Sequence, residues 1–233
     1  MQLHRHDLLE ISKQGRQWAL DHLGSTTCFQ VNRTEAARLI APEFRAVKAP
    51  GIVRREEGEG LPGAIPVGFS SPFRIDGRRF RLPAFVKADE ILKITTPYQV
   101  LESDIPDRIE CLKALREIKN EALKADVSLG VYGSAALEIY TGLPYTHDDS
   151  DLDLVIKAVD QQRLTAFTER AQAIGRRFNC RLDIELDLPS GHGVKMAEVL
   201  SGSDLVLGKS VGGVDLLQRS DVLAMCEREV ARC

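Results

Sequence analysis

The stretch Tyr132–Val155, YGSAALEIYTGLPYTHDDSDLDLV, decides how the second half of this chain is read. A Gly-Ser pair, Gly133-Ser134, follows a short apolar run and opens a segment of helical character. Seventeen residues after Ser134 come Asp151, an apolar residue and Asp153. Side chains two apart on a strand point the same way. A strand over DLDLVIK therefore projects Asp151 and Asp153 together while Leu152 and Leu154 enter the core. Two carboxylates held so can share a hard divalent cation, Mg²⁺ or Mn²⁺, and Mg²⁺ favours a few carboxylates plus phosphate oxygens. The competing reading is an ordinary amphipathic edge strand with a solvated acidic face. Asp is disfavoured in strands, which calls for compensation, and a cation supplies it.

Two further features lie around this pair. Gly133 permits a tight strand-to-helix turn, where exposed helix N-terminal N–H groups face an anion and the Ser134 hydroxyl adds a donor. Farther on, RLDIELDL alternates Asp183, Glu185 and Asp187 against Leu182, Ile184, Leu186 and Leu188. If this run neighbours DLDLV, one or two of its carboxylates face the aspartate pair. Strand, Gly-Ser turn, helix and Asp-x-Asp strand together form a device for gripping a triphosphate through metal.

The same alternation of elements continues on both sides. Ile109, Leu112, Leu115, Ile118 and Ala122 recur at helical spacing and predict a helix over about 107–125. VSLGVY reads as a buried strand, and SAALEIYTG as a helix stopped at Gly142 and Pro144. Leu164, Phe167, Ala171, Ile174 and Phe178 mark a second long helix. CRLDIELDL, the turn PSGHG and VKMAEVL read as a hairpin. DLVLGKS and VDLLQ are expected strands, with a last helix near 219–230.

The first hundred residues differ. Thr34 is placed to cap a helix through EAARLIA, which Pro42 helps to end. GIVRR, IPVGFS and RRFRLPAFV are short extended runs separated by Gly and Pro, suggesting a small β-rich element. The prolines and polar residues of TPYQVLESDIPDR put a domain boundary near 97–106, hence an N-terminal domain over 1–100 and a catalytic domain over 101–233. Residues 1–100 carry 15 Lys+Arg against 11 Asp+Glu, whereas the remainder carries 16 against 23. An acidic half either is solvated or holds cations.

At 233 residues, 43% hydrophobic and 28% charged, the chain is expected to be a soluble globular protein of one large or two small domains. A net charge of −3 leaves no electrostatic footprint for nucleic acid. The cysteines Cys28, Cys111, Cys180, Cys226 and Cys233 are odd in number and dispersed, which argues against a disulfide framework and a zinc site. Neither a signal-like apolar core nor a membrane-length window stands out, so the cytoplasm is the expected compartment and no membrane partner is expected.

The ordered set of Gly-Ser, Asp-x-Asp and a later strand carboxylate resembles the nucleotidyltransferase signature of polymerase-beta-like enzymes. The fuller string YGS…TGLPY…SDLDL is similar to the malonate decarboxylase holo-acyl-carrier-protein synthases, the phosphoribosyl-dephospho-CoA transferases. HDLL at 6–9, GIVRR at 51–55, IPVGFS with RRFRLPAFV, and LDIEL at 182–186 extend the likeness across nearly the whole chain. The chain departs from that pattern at Leu137-Glu138, where a Trp-Gln-like pair is expected, and in the acidic THDD before Ser150.

The resemblance implies an α+β or α/β fold: a small β-rich N-terminal domain and a mixed sheet flanked by helices. It also implies transfer of a triphosphoribosyl-dephospho-CoA group to a serine of the malonate decarboxylase acyl-carrier protein, with loss of diphosphate. By position, Gly133 and Ser134 would hold the triphosphate, and Asp151 and Asp153 would bind Mg²⁺. Asp183 is the first choice for a third carboxylate and base, with Glu185 second. From the residues themselves, a different acceptor (small molecule, other protein or RNA) and a non-catalytic binding module stay open.

Weaker features carry paired readings. Arg74, Arg78, Arg79 and Arg81 either meet an acidic carrier or donor phosphates, or guard a strand edge in solvent. The same pair of readings applies to Arg54 and Arg55. Lys195 and Lys209 reach a triphosphate in one reading and face solvent in the preferred one. His6-Asp7 reads as a structural pair, His147 as exposed and Trp18 as core.

Overall fold

The structure is a computed structural model, and it describes residues 3–23, 33–40, 49–55, 61–75 and 78–230. It resolves into two compact units, one of residues 1–96 with 211–213, the other of residues 97–210 with 214–233. Mixed α and β content with two sheets is the class the sequence implies.

The first unit is built on an antiparallel sheet. Its strands are β1 (Leu8–Ile11), β2 (Gly51–Val53), β3 (Ala64–Ile75), β4 (Arg78–Lys87) and β5 (Ile91–Thr95), ordered β4-β3-β2-β1-β5. Leu9, Ile11, Val53, Val67, Phe69 and Val86 form its core with residues of two helices, α1 (Lys13–Asp21) and α2 (Arg33–Ile40). β1, α1 and β5 are not anticipated by the sequence reading. The helix EAARLIA exists, but it starts at Arg33, so Thr34 lies inside it rather than at its cap. Trp18 is not core: it is half-buried, stacked on His22 with ring centroids 4.1 Å apart and with Lys87 Nζ 5.5 Å from its ring. Asp7 is buried and accepts a hydrogen bond from the His4 N–H.

The second unit carries a six-stranded mixed sheet: β6 (Leu129–Tyr132), β7 (Leu152–Lys157), β8 (Leu182–Asp187), β9 (Gly193–Lys195), β10 (Leu205–Lys209) and β11 (Val214–Gln218). These lie in the order β11-β10-β9-β8-β7-β6. Only β7 and β8 run parallel; the other pairings are antiparallel. A parallel pair needs a long crossover, and the helix α6 (Gln161–Arg177) provides it. Asp160 caps α6, its carboxylate accepting from the Arg163 N–H at 2.9 Å. Leu164, Phe167, Ala171 and Ile174 are its buried stripe. The other long helix, α4 (Glu110–Lys124), buries Cys111, Leu112, Leu115, Ile118 and Ala122. A short helix, α3 (Pro97–Val100), precedes it, and α8 (Arg219–Val230) closes the chain.

Two local expectations are corrected. The hairpin forms, since β8 and β9 pair antiparallel, but its second strand is shorter than VKMAEVL: β9 ends at Lys195 and a short helix, α7 (Met196–Leu200), follows. Met, Ala, Glu and Leu all favour helix, and Met196 and Val199 bury one face of it while Glu198 accepts from the Leu207 N–H at 2.8 Å. Asp151 also stands just before the strand, which begins at Leu152. Cys111, Cys180 and Cys226 are buried free thiols, while Cys28 and Cys233 lie outside the described residues.

Candidate functional site

The site grows from the β6–β7–β8 register. Tyr132 pairs with Asp153, and Asp153 pairs with Asp183, so the two carboxylates sit side by side on neighbouring strands. Val155 pairs with Glu185, and Glu185 with Lys195 of β9, one row farther along the same face. The opposite face is apolar: Leu152, Leu154, Ile156, Ile184 and Leu186 are all buried. This alternation anchors the acidic residues, because slipping β7 by one position would push its carboxylates into the core. Of the two candidates for a third carboxylate, Asp183 neighbours Asp153 directly, while Glu185 is buried one row away.

The helix α5 (Gly133–Thr141) starts immediately after β6. Gly133 adopts φ +67°, and a Cβ there would stand 2.0 Å from Asp153 Oδ2. Glycine is therefore required twice over, by the left-handed turn and by the carboxylate lying against its Cα. This juxtaposition ties the Gly-Ser turn and the Asp-x-Asp strand into one place. Ser134 is half-buried at the start of α5, where the first-turn N–H groups are not used by the helix's own hydrogen-bond ladder.

Cations already attend the carboxylates. Arg181 contacts Asp151, and that hydrogen bond lifts the guanidinium above its ordinary value. Lys195 Nζ lies 2.7 Å from Asp183 Oδ2; the hydrogen bond raises the ammonium's pKa, and the nearby Asp183, Glu185 and Glu198 charges add to this. Lys195 thus does not simply face solvent. Among the described residues, no group of three or more His, Cys, Asp or Glu side chains is placed to hold a metal ion. The adjoining pair Asp153 and Asp183 matches the smaller demand of Mg²⁺, which uses one or two carboxylates and takes its remaining oxygens from phosphate and water.

A second polar cluster was not legible as such. Glu138 of α5, 3% exposed, receives Arg108 Nε at 2.9 Å and Arg108 Nη2 at 3.0 Å, and the Thr146 N–H at 2.7 Å. Burial pushes the Glu138 carboxyl up, but the hydrogen bonds from Arg108 and Thr146 outweigh it and hold the group below its usual value. Leu137-Glu138, a departure from the family pattern in sequence, is here a fully buried pair. In TGLPY, Gly142 at φ +73° caps α5 and Tyr145 is wholly buried, so that motif packs the loop leading to Asp151. His147 in this loop is half-buried rather than exposed, and Ser150 Oγ accepts from its backbone N–H at 2.9 Å.

The remaining candidates lie on other strands. Lys209 is two strands away from β8, opposite Gly193, which itself pairs with Asp187. That is four residues beyond Asp183, roughly 13 Å along the strand. Arg74, Arg79 and Arg81 lie on the β3–β4 hairpin of the other unit, where Arg74 pairs with Arg79 and Ser70 with Arg81. The Arg78 side chain lies outside the described residues.

Comparisons with known proteins point one way. The model of the phosphoribosyl-dephospho-CoA transferase MdcG N-terminal domain matches residues 4–97, and that of the MdcG C-terminal domain matches residues 100–220. Proteins bearing the name phosphoribosyl-dephospho-CoA transferase include one from Xanthomonas axonopodis pv. citri, 29% identical over 80% of this chain and 87% of the relative. Another, from Bradyrhizobium diazoefficiens, is 27% identical over 94% of this chain and 92% of its own length. A third, from Xanthomonas campestris pv. campestris, is 30% identical over 73% and 79%. No solved structure matches the chain. With both family models aligned along its length, the chain belongs to the phosphoribosyl-dephospho-CoA transferase family MdcG.

Proposed function

We propose that this protein transfers a phosphoribosyl-dephospho-CoA group from a triphosphate donor to a serine of the acyl-carrier subunit of malonate decarboxylase. The observation that carries the reading is Asp153 lying beside Asp183 and against Gly133, which joins an acidic pair to a helix N-terminus. In this reading the first turn of α5 and Ser134 bind the donor's phosphates. Asp153 and Asp183, flanked by Asp151, hold Mg²⁺ or Mn²⁺. The metal, when bound, neutralises charge on the attacked phosphorus and on the departing diphosphate. Asp183 takes the proton of the carrier serine as that oxygen bonds to the innermost phosphorus and the bond to diphosphate breaks. Glu185, buried behind this pair, supports the negative field rather than meeting substrate.

The basic hairpin around Arg79 and Arg81 is assigned to the acidic carrier or the CoA-like end of the donor. The reading places the protein in the cytoplasm without nucleic-acid or membrane partners. Among the described residues no helix is long and apolar enough to cross a membrane.

The test is the intact mass of purified carrier subunit after incubation with this protein, donor and Mg²⁺. The carrier is expected to gain one phosphoribosyl-dephospho-CoA group, and Asp153→Asn to lower the rate by at least about a thousandfold while remaining folded. A carrier that gains no mass, with another acceptor labelled instead, would replace this reading by a transferase of different acceptor. Transfer by Asp153→Asn at the wild-type rate would remove the metal role.

A further inference from the structure

The Lys195–Asp183 pair has a property the proposed chemistry does not by itself explain. Lys195 ends β9, directly opposite Glu185, yet its ammonium reaches the neighbouring Asp183 at 2.7 Å. Both side chains are about two-fifths exposed, 40% and 39%. An ammonium is a compact point charge on a flexible stem, so it exchanges partners without disturbing the backbone that carries it. A divalent cation at the Asp153–Asp183 pair would therefore meet a positive charge already resting on one of its two carboxylates.

We propose that Lys195 is a resident counter-cation of the acidic pair, one that metal displaces from Asp183 and that then binds the donor's phosphate oxygens. The inference rests on the transferase reading above and deepens it. Metal alone must enter against the ammonium, whereas metal with donor gives the displaced ammonium a new anionic partner. Divalent cation and triphosphate thus load cooperatively, and by linkage each tightens the other by the same factor. In the unloaded protein, Lys195 limits electrostatic repulsion between Asp183 and its acidic neighbours Asp153 and Glu185.

The geometry predicts effects of opposite sign from one substitution. Lys195→Met keeps the stem and removes the charge. It is expected to tighten Mn²⁺ alone by about tenfold and to weaken the triphosphate donor, at saturating Mg²⁺, by about tenfold or more. Mn²⁺ binding to the full chain is read from the loss of its free-ion EPR signal, and donor binding by equilibrium dialysis. Lys195→Arg, which restores the charge, should return Mn²⁺ affinity toward wild type, separating charge from packing. Unchanged or weaker Mn²⁺ affinity in Lys195→Met overturns the proposal, and so does unchanged donor affinity. If the wild type modifies the carrier in a metal-dependent way and Lys195→Met behaves as wild type in both titrations, only this inference falls. If the wild type takes up no Mn²⁺ even with donor present, the metal role in the transferase reading falls as well.

Discussion

Two carboxylate–cation pairs in the same unit, Glu138–Arg108 and Asp183–Lys195, have similar contact distances and opposite characters. Glu138 is 4% exposed in its side chain and is met by a two-pronged guanidinium and by the Thr146 N–H. Asp183 is 39% exposed and meets one ammonium that is itself 40% exposed. Bidentate geometry and burial make the first pair a fixture, while a single half-exposed contact makes the second exchangeable. The fixture holds Thr146, just past the TGLPY motif, onto α5, and the exchangeable pair sits where phosphate and metal are proposed to arrive. Charge in a protein serves structure or chemistry according to how many hydrogen bonds would have to break for it to move.

The contrast is most sharply broken by Glu138→Ala. Removing the buried partner strands the Thr146 N–H and leaves Arg108 without its counter-charge. A loss of about 3 kcal/mol is expected, at the low end for broken buried pairs because Arg108 is partly solvated. Urea denaturation measures it. Next comes the pH dependence of the same pair. The Glu138 carboxyl is held below its usual value in the folded state, so its contribution is present above about pH 4.3, the unfolded glutamate value, and is lost as pH falls through the folded value. The stability gap between wild type and Glu138→Gln should therefore narrow on acidification below about pH 4.3, as unfolding at fixed urea across pH would show. The smallest effect belongs to the exchangeable pair: Asp183→Asn is expected to change unfolding stability by no more than about 0.5 kcal/mol. A loss comparable to that of Glu138→Ala would erase the distinction.

Much of the acidic face was legible because period-two alternation is a local signal. Leu152, Leu154, Ile184 and Leu186 mark the buried side, which leaves Asp153, Asp183 and Glu185 on the other. The rank order of Asp183 and Glu185 was not legible, since it depends on the register between β7 and β8, a non-local quantity. Lys195 was misread for a related reason: its partner is 12 residues away across a turn whose second strand is shorter than its pattern suggests. Helix propensity in MAEVL ended that strand, a local signal that hydrophobic content obscured. Glu138 stood out in sequence only as a departure. Its role depends on Arg108, 30 positions earlier, and on Thr146, none of which form a pattern along the chain.

The crossover through α6 has a consequence for how this protein acquires its chemistry. Asp153 and Asp183 meet across the parallel β7–β8 pairing, after the 29 residues between them have been closed into a βαβ unit. Closing such a loop costs chain entropy before the contact returns any enthalpy. During synthesis the Gly-Ser turn and the first aspartates are complete while the strand bearing Asp183 has yet to emerge. A chain stalled or unfolded at that stage presents half of the acidic pair and no neighbour to complete it. The acidic pair is thus completed with closure of the crossover, and not piecemeal as the chain lengthens.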